Sequence, residues 1–106
     1  MAMPHADLFR ALADPTRRAV FERLAEAEMT VSELKSGFAV SQPAISQHLA
    51  ALRGAGLVEE RRQGRNAYYR ARPDGLAPLT DWVERYRTFW PERIAALKDV
   101  LKGMDQ

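Results

Sequence analysis

The chain has 106 residues, 46% hydrophobic and 28% charged, a balance that suits one folded domain and excludes a disordered segment. It contains no cysteine, which excludes a disulfide framework, a thiolate metal site and a cysteine nucleophile together. The formal net charge of +2 is unevenly spread. Residues 1–52 carry five basic and six acidic side chains, and residues 73–106 carry five and six again. Between them, Arg53, Arg61, Arg62, Arg65, Arg70 and Arg72 meet only Glu59 and Glu60, a local net of +4. That excess is all arginine, whose planar fork suits bidentate contact with phosphate. A solvated face usually mixes its signs, so a concentration of one sign points to a polyanion. The leading residues have neither the basic nor the apolar region of a signal peptide, and no run approaches the ~18 apolar residues of a membrane span. A soluble cytoplasmic protein is the expectation.

The first helical pattern covers residues 5–13, with Leu8, Phe9 and Leu12 on one side. Asp14 then caps a second helix whose first turn takes Pro15, where a missing N–H costs nothing; it runs to about Ala27 and buries Val20, Phe21 and Leu24. Thr30 and Glu33 have the spacing of a capping box and open a short helix that stops near Gly37. Phe38-Ala39-Val40 is a short turn, and Ser41 caps a helix over 42–54 that ends at Gly54-Ala55-Gly56 with glycine available for a left-handed cap. Residues 57–62 and 67–72 then flank Gln63-Gly64-Arg65-Asn66, a turn in which Gly and Asn can supply positive φ. In the second strand Ala67, Tyr69 and Ala71 share the packing face, while Tyr68, Arg70 and Arg72 make the other face cationic. After Pro73-Asp74-Gly75, apolar residues recur at spacings of three and four from Leu76 to Met104, with a kink or break expected at Pro91. Trp82, Phe89 and Val100 make this stripe too wide and too aromatic for one small domain to cover.

Three helices, a capped fourth and a basic hairpin follow in the order of a winged helix-turn-helix: a mainly α fold with a two-stranded β-wing. On the 42–54 helix, 100° per residue gathers Ile45, Leu49 and Leu52 on a core face. Gln42, Pro43, Ser46, Gln47, Ala50 and Arg53 fall opposite or at its edge. This outer face is small and amide-bearing, and no charged side chain occurs between Lys35 and Arg53. An ordinary solvated face carries Glu and Lys, whereas glutamine can read adenine in a major groove.

At Ala11-Leu12-Ala13-Asp14-Pro15-Thr16-Arg17-Arg18, Ser41 to Leu49, Leu52 to Val58, and Gly64-Arg65 with Tyr68-Tyr69-Arg70, the chain resembles the ArsR family of bacterial winged-helix repressors. The resemblance covers about residues 6–72. It implies a homodimer that binds an inverted-repeat operator of double-stranded DNA and blocks transcription until a signal releases it, with a ligand, a partner protein and the protein's own level all open as that signal. It also implies that positions 42, 43, 46 and 47 face the bases and that the wing touches the backbone or minor groove. The expected DNA-binding set is therefore Gln42, Pro43, Ser46, Gln47, Arg53, Arg62, Arg65, Tyr68 and Arg70. Tyr68 suits a sugar or phosphate contact and a place over the core edge equally well. One domain over 1–106 is expected, with its C-terminal dimerisation helix at about 75–104. Leu8, Leu79, Trp82, Val83, Tyr86, Trp90 and Leu97 are the expected dimer interface. Founding members of the family sense metals through a Cys-x-Cys pair on the third helix or through Asp and His on the last. Here the third helix reads Ser32-Glu33-Leu34-Lys35-Ser36-Gly37 and residues 76–106 contain no histidine, so no metal or other cofactor is expected.

Rival readings find less support. Ser46 and His48 are two residues apart on a helix and point in opposing directions, so they make no catalytic pair, and His48 reads as a packed, hydrogen-bonded structural residue. Glu59 and Glu60 are consecutive on a strand and face opposite sides. Asp81, Glu84 and Glu92 lie beside Arg85, Arg87 and Arg93, as ordinary surface ion pairs do. No enzyme is expected. A winged-helix module for protein partners would carry acidic or bulky residues on the outer face and a neutral wing. A metal-responsive repressor is the nearest alternative within the family.

Overall fold

The computed structural model describes residues 6–87, 99–100 and 102–103. Helix α1 spans Ala6–Ala13, α2 Pro15–Glu26, α3 Val31–Lys35 and α4 Gln42–Gly54. Strands β1 (Val58–Gln63) and β2 (Asn66–Ala71) follow, then a 3-10 turn at Pro73–Leu76 and helix α5 at Ala77–Arg87. The starts of α2, α3 and α4 have the caps their sequence announces. The Arg17 N–H donates to Asp14 Oδ1 at 3.0 Å, with Pro15 in the first turn. Thr30 and Glu33 close both halves of the capping box, at 3.0 and 3.2 Å, and Ser41 Oγ accepts from the Ala44 N–H at 3.2 Å.

The end of α4 forms a Schellman motif. Gly56 takes the left-handed conformation at φ 77°, its N–H donates to the Arg53 carbonyl at 3.0 Å, and the Leu57 N–H donates to the Leu52 carbonyl at 2.9 Å. Leu52 and Leu57, the apolar pair that usually accompanies this motif, are both fully buried. The chain therefore leaves the helix in a fixed direction and enters β1 at once.

Strands β1 and β2 pair antiparallel, with Glu60 opposite Tyr69, Arg61 opposite Tyr68 and Gln63 opposite Asn66. Gly64 alone takes positive φ in the turn, at 62°, and Asn66 already belongs to β2. A left-handed first central residue is the type II′ pattern, which needs glycine there and nothing special at Asn66. The ribbon has a third, one-residue strand that sequence patterning misses. Met29, in the α2–α3 connector, exchanges backbone hydrogen bonds of 2.8 and 3.0 Å with Tyr69.

The core takes Leu8 and Ala11 from α1, Val20 and Leu24 from α2, Leu34 from α3, and Ile45, Leu49 and Leu52 from α4, with Leu57 and Val58 below the ribbon. Burying each of the larger side chains contributes about 1.5–3 kcal/mol. Tyr69 and Ala71 pack against this core, on the ribbon face expected to do so. Leu8 is a correction: expected at the dimer interface, it is only 4% exposed and belongs to the chain's own core. Its neighbour Phe9, 38% exposed, takes the outward place. The long C-terminal pattern opens with the 3-10 turn before α5 begins. At that turn a Cβ on Gly75 would overlap the carbonyl oxygen of Gly56, so only glycine lets the connector pass so close to the α4 cap. Residues 99–100 and 102–103 are helical; Trp90, Pro91, Leu97 and Met104 lie outside the described residues.

Candidate nucleic-acid interface

Helix α4 divides as its periodicity predicts. Ile45, Leu49 and Leu52 are its buried residues, and Gln42, Pro43, Ser46, Gln47, Ala50 and Arg53 are all exposed. His48 lies between the two faces, half-buried, and its Nδ1 accepts a 3.4 Å hydrogen bond from Arg17 Nε. The imidazole is thus tied to α2 while Ser46 points outward, and no nucleophile–base pair forms. The outer face of α4 is a row of small and amide side chains on a helix whose back is fixed in the core.

The ribbon's charges are largely organised by carboxylates. On the face away from the core, Arg70 and Arg72 both pair with Glu59, and Arg72 also reaches Asp74 at 3.1 Å. On the same face Arg61 holds Glu28 through two bonds of 2.6 and 3.2 Å and lies 5.0 Å over the Tyr68 ring. Its guanidinium keeps the Glu28 carboxyl below the ordinary carboxylate range. Tyr68 is half-buried beneath that cation. On the opposite face Glu60 takes Arg53 of α4 at 2.9 Å and Arg62 of β1 at 2.8 Å. Arg65, in the turn at the ribbon's tip, is exposed and has no side-chain partner among the described residues. The structure thus brings Gln42, Pro43, Ser46, Gln47 and Arg53 onto one face and Arg62, Arg65, Tyr68 and Arg70 onto the adjoining ribbon.

Sequence reasoning missed two partners here. Glu28 is 33 positions from Arg61, and nothing local announces the pair. Glu60 had a signal, since it shares a strand face with Arg62 two residues on.

The α5 aromatics form a separate cluster with Phe9 of α1. The Phe9 and Trp82 rings meet edge-on at 5.5 Å between centroids, and Trp82 and Tyr86 lie 5.1 Å apart. Trp82, Val83 and Tyr86 are 39%, 48% and 46% exposed, whereas Leu79 packs against the core. Among the described residues no three metal-ligating side chains group together, and no helix is long and apolar enough to cross a membrane.

A helix with an uncharged outer face, backed by a three-helix core and flanked by a basic ribbon, defines a winged helix-turn-helix DNA-binding protein. Residues 12–61 match a family described as a helix-turn-helix domain. The HTH-type transcriptional regulator Rv2034 of Mycobacterium tuberculosis is 46% identical over 80 residues, 76% of this chain and 75% of that protein. The transcriptional repressor SdpR of Bacillus subtilis is 32% identical over 77 residues, 73% of this chain and 86% of its own length. An ArsR-like transcriptional regulator from Rhodococcus sp. RHA1 superposes with a TM-score of 0.76 at 36% identity, over 93% of this chain and 91% of that one. The chain belongs to the ArsR family of DNA-binding transcriptional regulators.

Proposed function

We propose that the protein is a cytoplasmic homodimeric repressor, one winged-helix domain per protomer, that binds an inverted-repeat operator. Helix α4 enters the major groove and reads bases with Gln42, Ser46 and Gln47, and Pro43 packs beside them. Arg53, Arg62, Arg65, Tyr68 and Arg70 hold the backbone or the minor groove. The observation that carries this reading is the exposed face of α4, uncharged until Arg53 in its last turn, set beside the arginine ribbon. A protein-docking winged helix would present acidic or bulky groups there. The second copy docks on Phe9, Trp82, Val83 and Tyr86, aromatic surface whose burial repays the cost of pairing. Two-fold symmetry then sets the recognition helices about 34 Å apart, one turn of DNA. The protein acts by binding and carries out no catalytic step.

Control in this reading does not use a transition metal, because zinc needs about four ligands drawn from Cys, His and carboxylates and the chain has no thiolate. One experiment tests both statements: enrichment of duplexes from a random-sequence pool, then footprinting upstream of the protein's own gene with zinc, with a chelator and with neither. The expected result is an inverted repeat protected equally in all three. No enrichment, or protection lost at micromolar zinc, overturns the corresponding statement.

A further inference from the structure

A carboxylate on a surface built for phosphate repels the ligand, yet Glu60 stands where α4 meets the ribbon. Its side chain is only 12% exposed, and both of its oxygens are used. Oε2 accepts from Arg53 Nη1 at 2.9 Å and from the Tyr69 hydroxyl at 3.2 Å, and Oε1 accepts from Arg62 Nε at 2.8 Å. The three donors come from α4, β1 and β2, so one carboxylate ties the end of the readout helix to both strands of the wing. Burial, and then the charge of Glu60, push the Tyr69 phenol up, which keeps it a donor to that carboxylate. Arg62 bonds Glu60 through Nε and Arg53 through Nη1, so each guanidinium keeps further N–H donors that this carboxylate does not use.

We propose that Glu60 is a positioning residue for sequence readout: it fixes the headings of Arg53 and Arg62 relative to each other and holds down their affinity for phosphate of any sequence. This inference rests on the DNA-facing reading of α4 and the ribbon. Selectivity is a difference between two affinities. A freely moving arginine gains phosphate contact on any duplex, whereas one held in place gains it fully only where the groove fits.

The test uses two probes, a duplex enriched from a random-sequence pool by the wild-type protein and a scrambled duplex of the same composition. Affinity for each is followed by anisotropy across a salt series. Glu60→Gln keeps the acceptor for Tyr69 and removes the charge. It should bind the scrambled duplex more tightly, with the log–log salt slope steeper by about 0.9 for each arginine released per subunit. The enriched-to-scrambled ratio should fall about tenfold, the equivalent of one charge-assisted hydrogen bond. Combining it with Arg53→Ala and Arg62→Ala should abolish the extra slope. Glu60→Asp, which keeps the charge but loses reach, should leave the slope near wild type and still lower the ratio. A carboxylate that merely staples the fold would lower the melting temperature and leave slope and ratio unchanged in the folded variants. That outcome overturns the inference alone, whereas a pool yielding no enriched duplex overturns the DNA reading as well.

Discussion

In the proposed complex, Gln47 and Arg65 take the two kinds of position a DNA-binding surface needs, one toward base edges and one toward phosphates. Gln47 is exposed on α4 with no role in the core, so Gln47→Ala should leave the melting temperature unchanged. It should cost ~1–3 kcal/mol on the enriched duplex and relax the preference at one base position, measured by binding to single-base variants of that duplex. Among the described residues Arg65 has no carboxylate partner to leave behind. Arg65→Ala should weaken enriched and scrambled duplexes alike and reduce the log–log salt slope by about 0.9 per subunit. An unaltered slope would take the ribbon tip off the DNA. The outer face of α4 was legible because a helix converts sequence spacing into angle, and Ile45, Leu49 and Leu52 fix which side is inside. The ion pairs were not, because Arg53 and Glu60 come together only after the Schellman turn has redirected the chain.

At the scale of elements, the caps were legible and the tertiary pairings were not. Asp14-Pro15, Thr30 with Glu33, and Ser41 mark starts through chemistry contained within four residues. Ahead of Thr30 the α2–α3 connector carries no such local mark, yet it supplies both Met29 and Glu28 to the ribbon. The Glu28–Arg61 pair has a pH signature. Bonding to Arg61 holds the Glu28 carboxyl below its ordinary value of 4.5 in the folded chain. A group whose folded value is lowered stabilises fully above the unfolded value and loses that stabilisation as pH falls through the folded one. Denaturation midpoints of wild type and Glu28→Gln should therefore differ at neutral pH and converge below about pH 4.5. A gap that stays constant into acid would show that the pair does not tie the connector to β1. Asp14, held down by the Arg17 backbone N–H, and Glu33, held down by the Thr30 N–H, leave both curves sloping in the same acid range.

For the whole molecule, the described part of the C-terminal stripe leaves Trp82, Val83 and Tyr86 exposed, but spacing alone did not say which residues the core would claim. Leu8 and Leu79 went inward, and Phe9, Trp82, Val83 and Tyr86 stayed out. A helical wheel cannot make that distinction for α1, because the docking angle of a helix decides which of two adjacent apolar residues meets the core. Val83→Asp places a charge on the half-exposed side of α5 that also carries Trp82 and Tyr86. It should give a folded monomer in sedimentation at micromolar concentration. Operator affinity should fall about a hundredfold as the second half-site contact ceases to be intramolecular. A dimeric Val83→Asp protein would move the interface elsewhere.

The Met29–Tyr69 pair also has a consequence for the order in which the molecule assembles. It joins backbone groups 40 positions apart, whereas the contacts within each helix and across the Gly64 turn are local. Closing a long loop costs entropy before any contact repays it, and an isolated two-stranded hairpin is marginal in water. The helices are thus expected to condense first and the ribbon to acquire its final seat last, when Met29 is already held between α2 and α3. Trimming side-chain contacts at Met29 should accordingly speed unfolding and hardly slow refolding, which stopped-flow kinetics on a Met29→Ala chain can measure. A newly made protomer would then hold a formed readout helix before it has an anchored wing, and grip on DNA becomes the last property that folding confers.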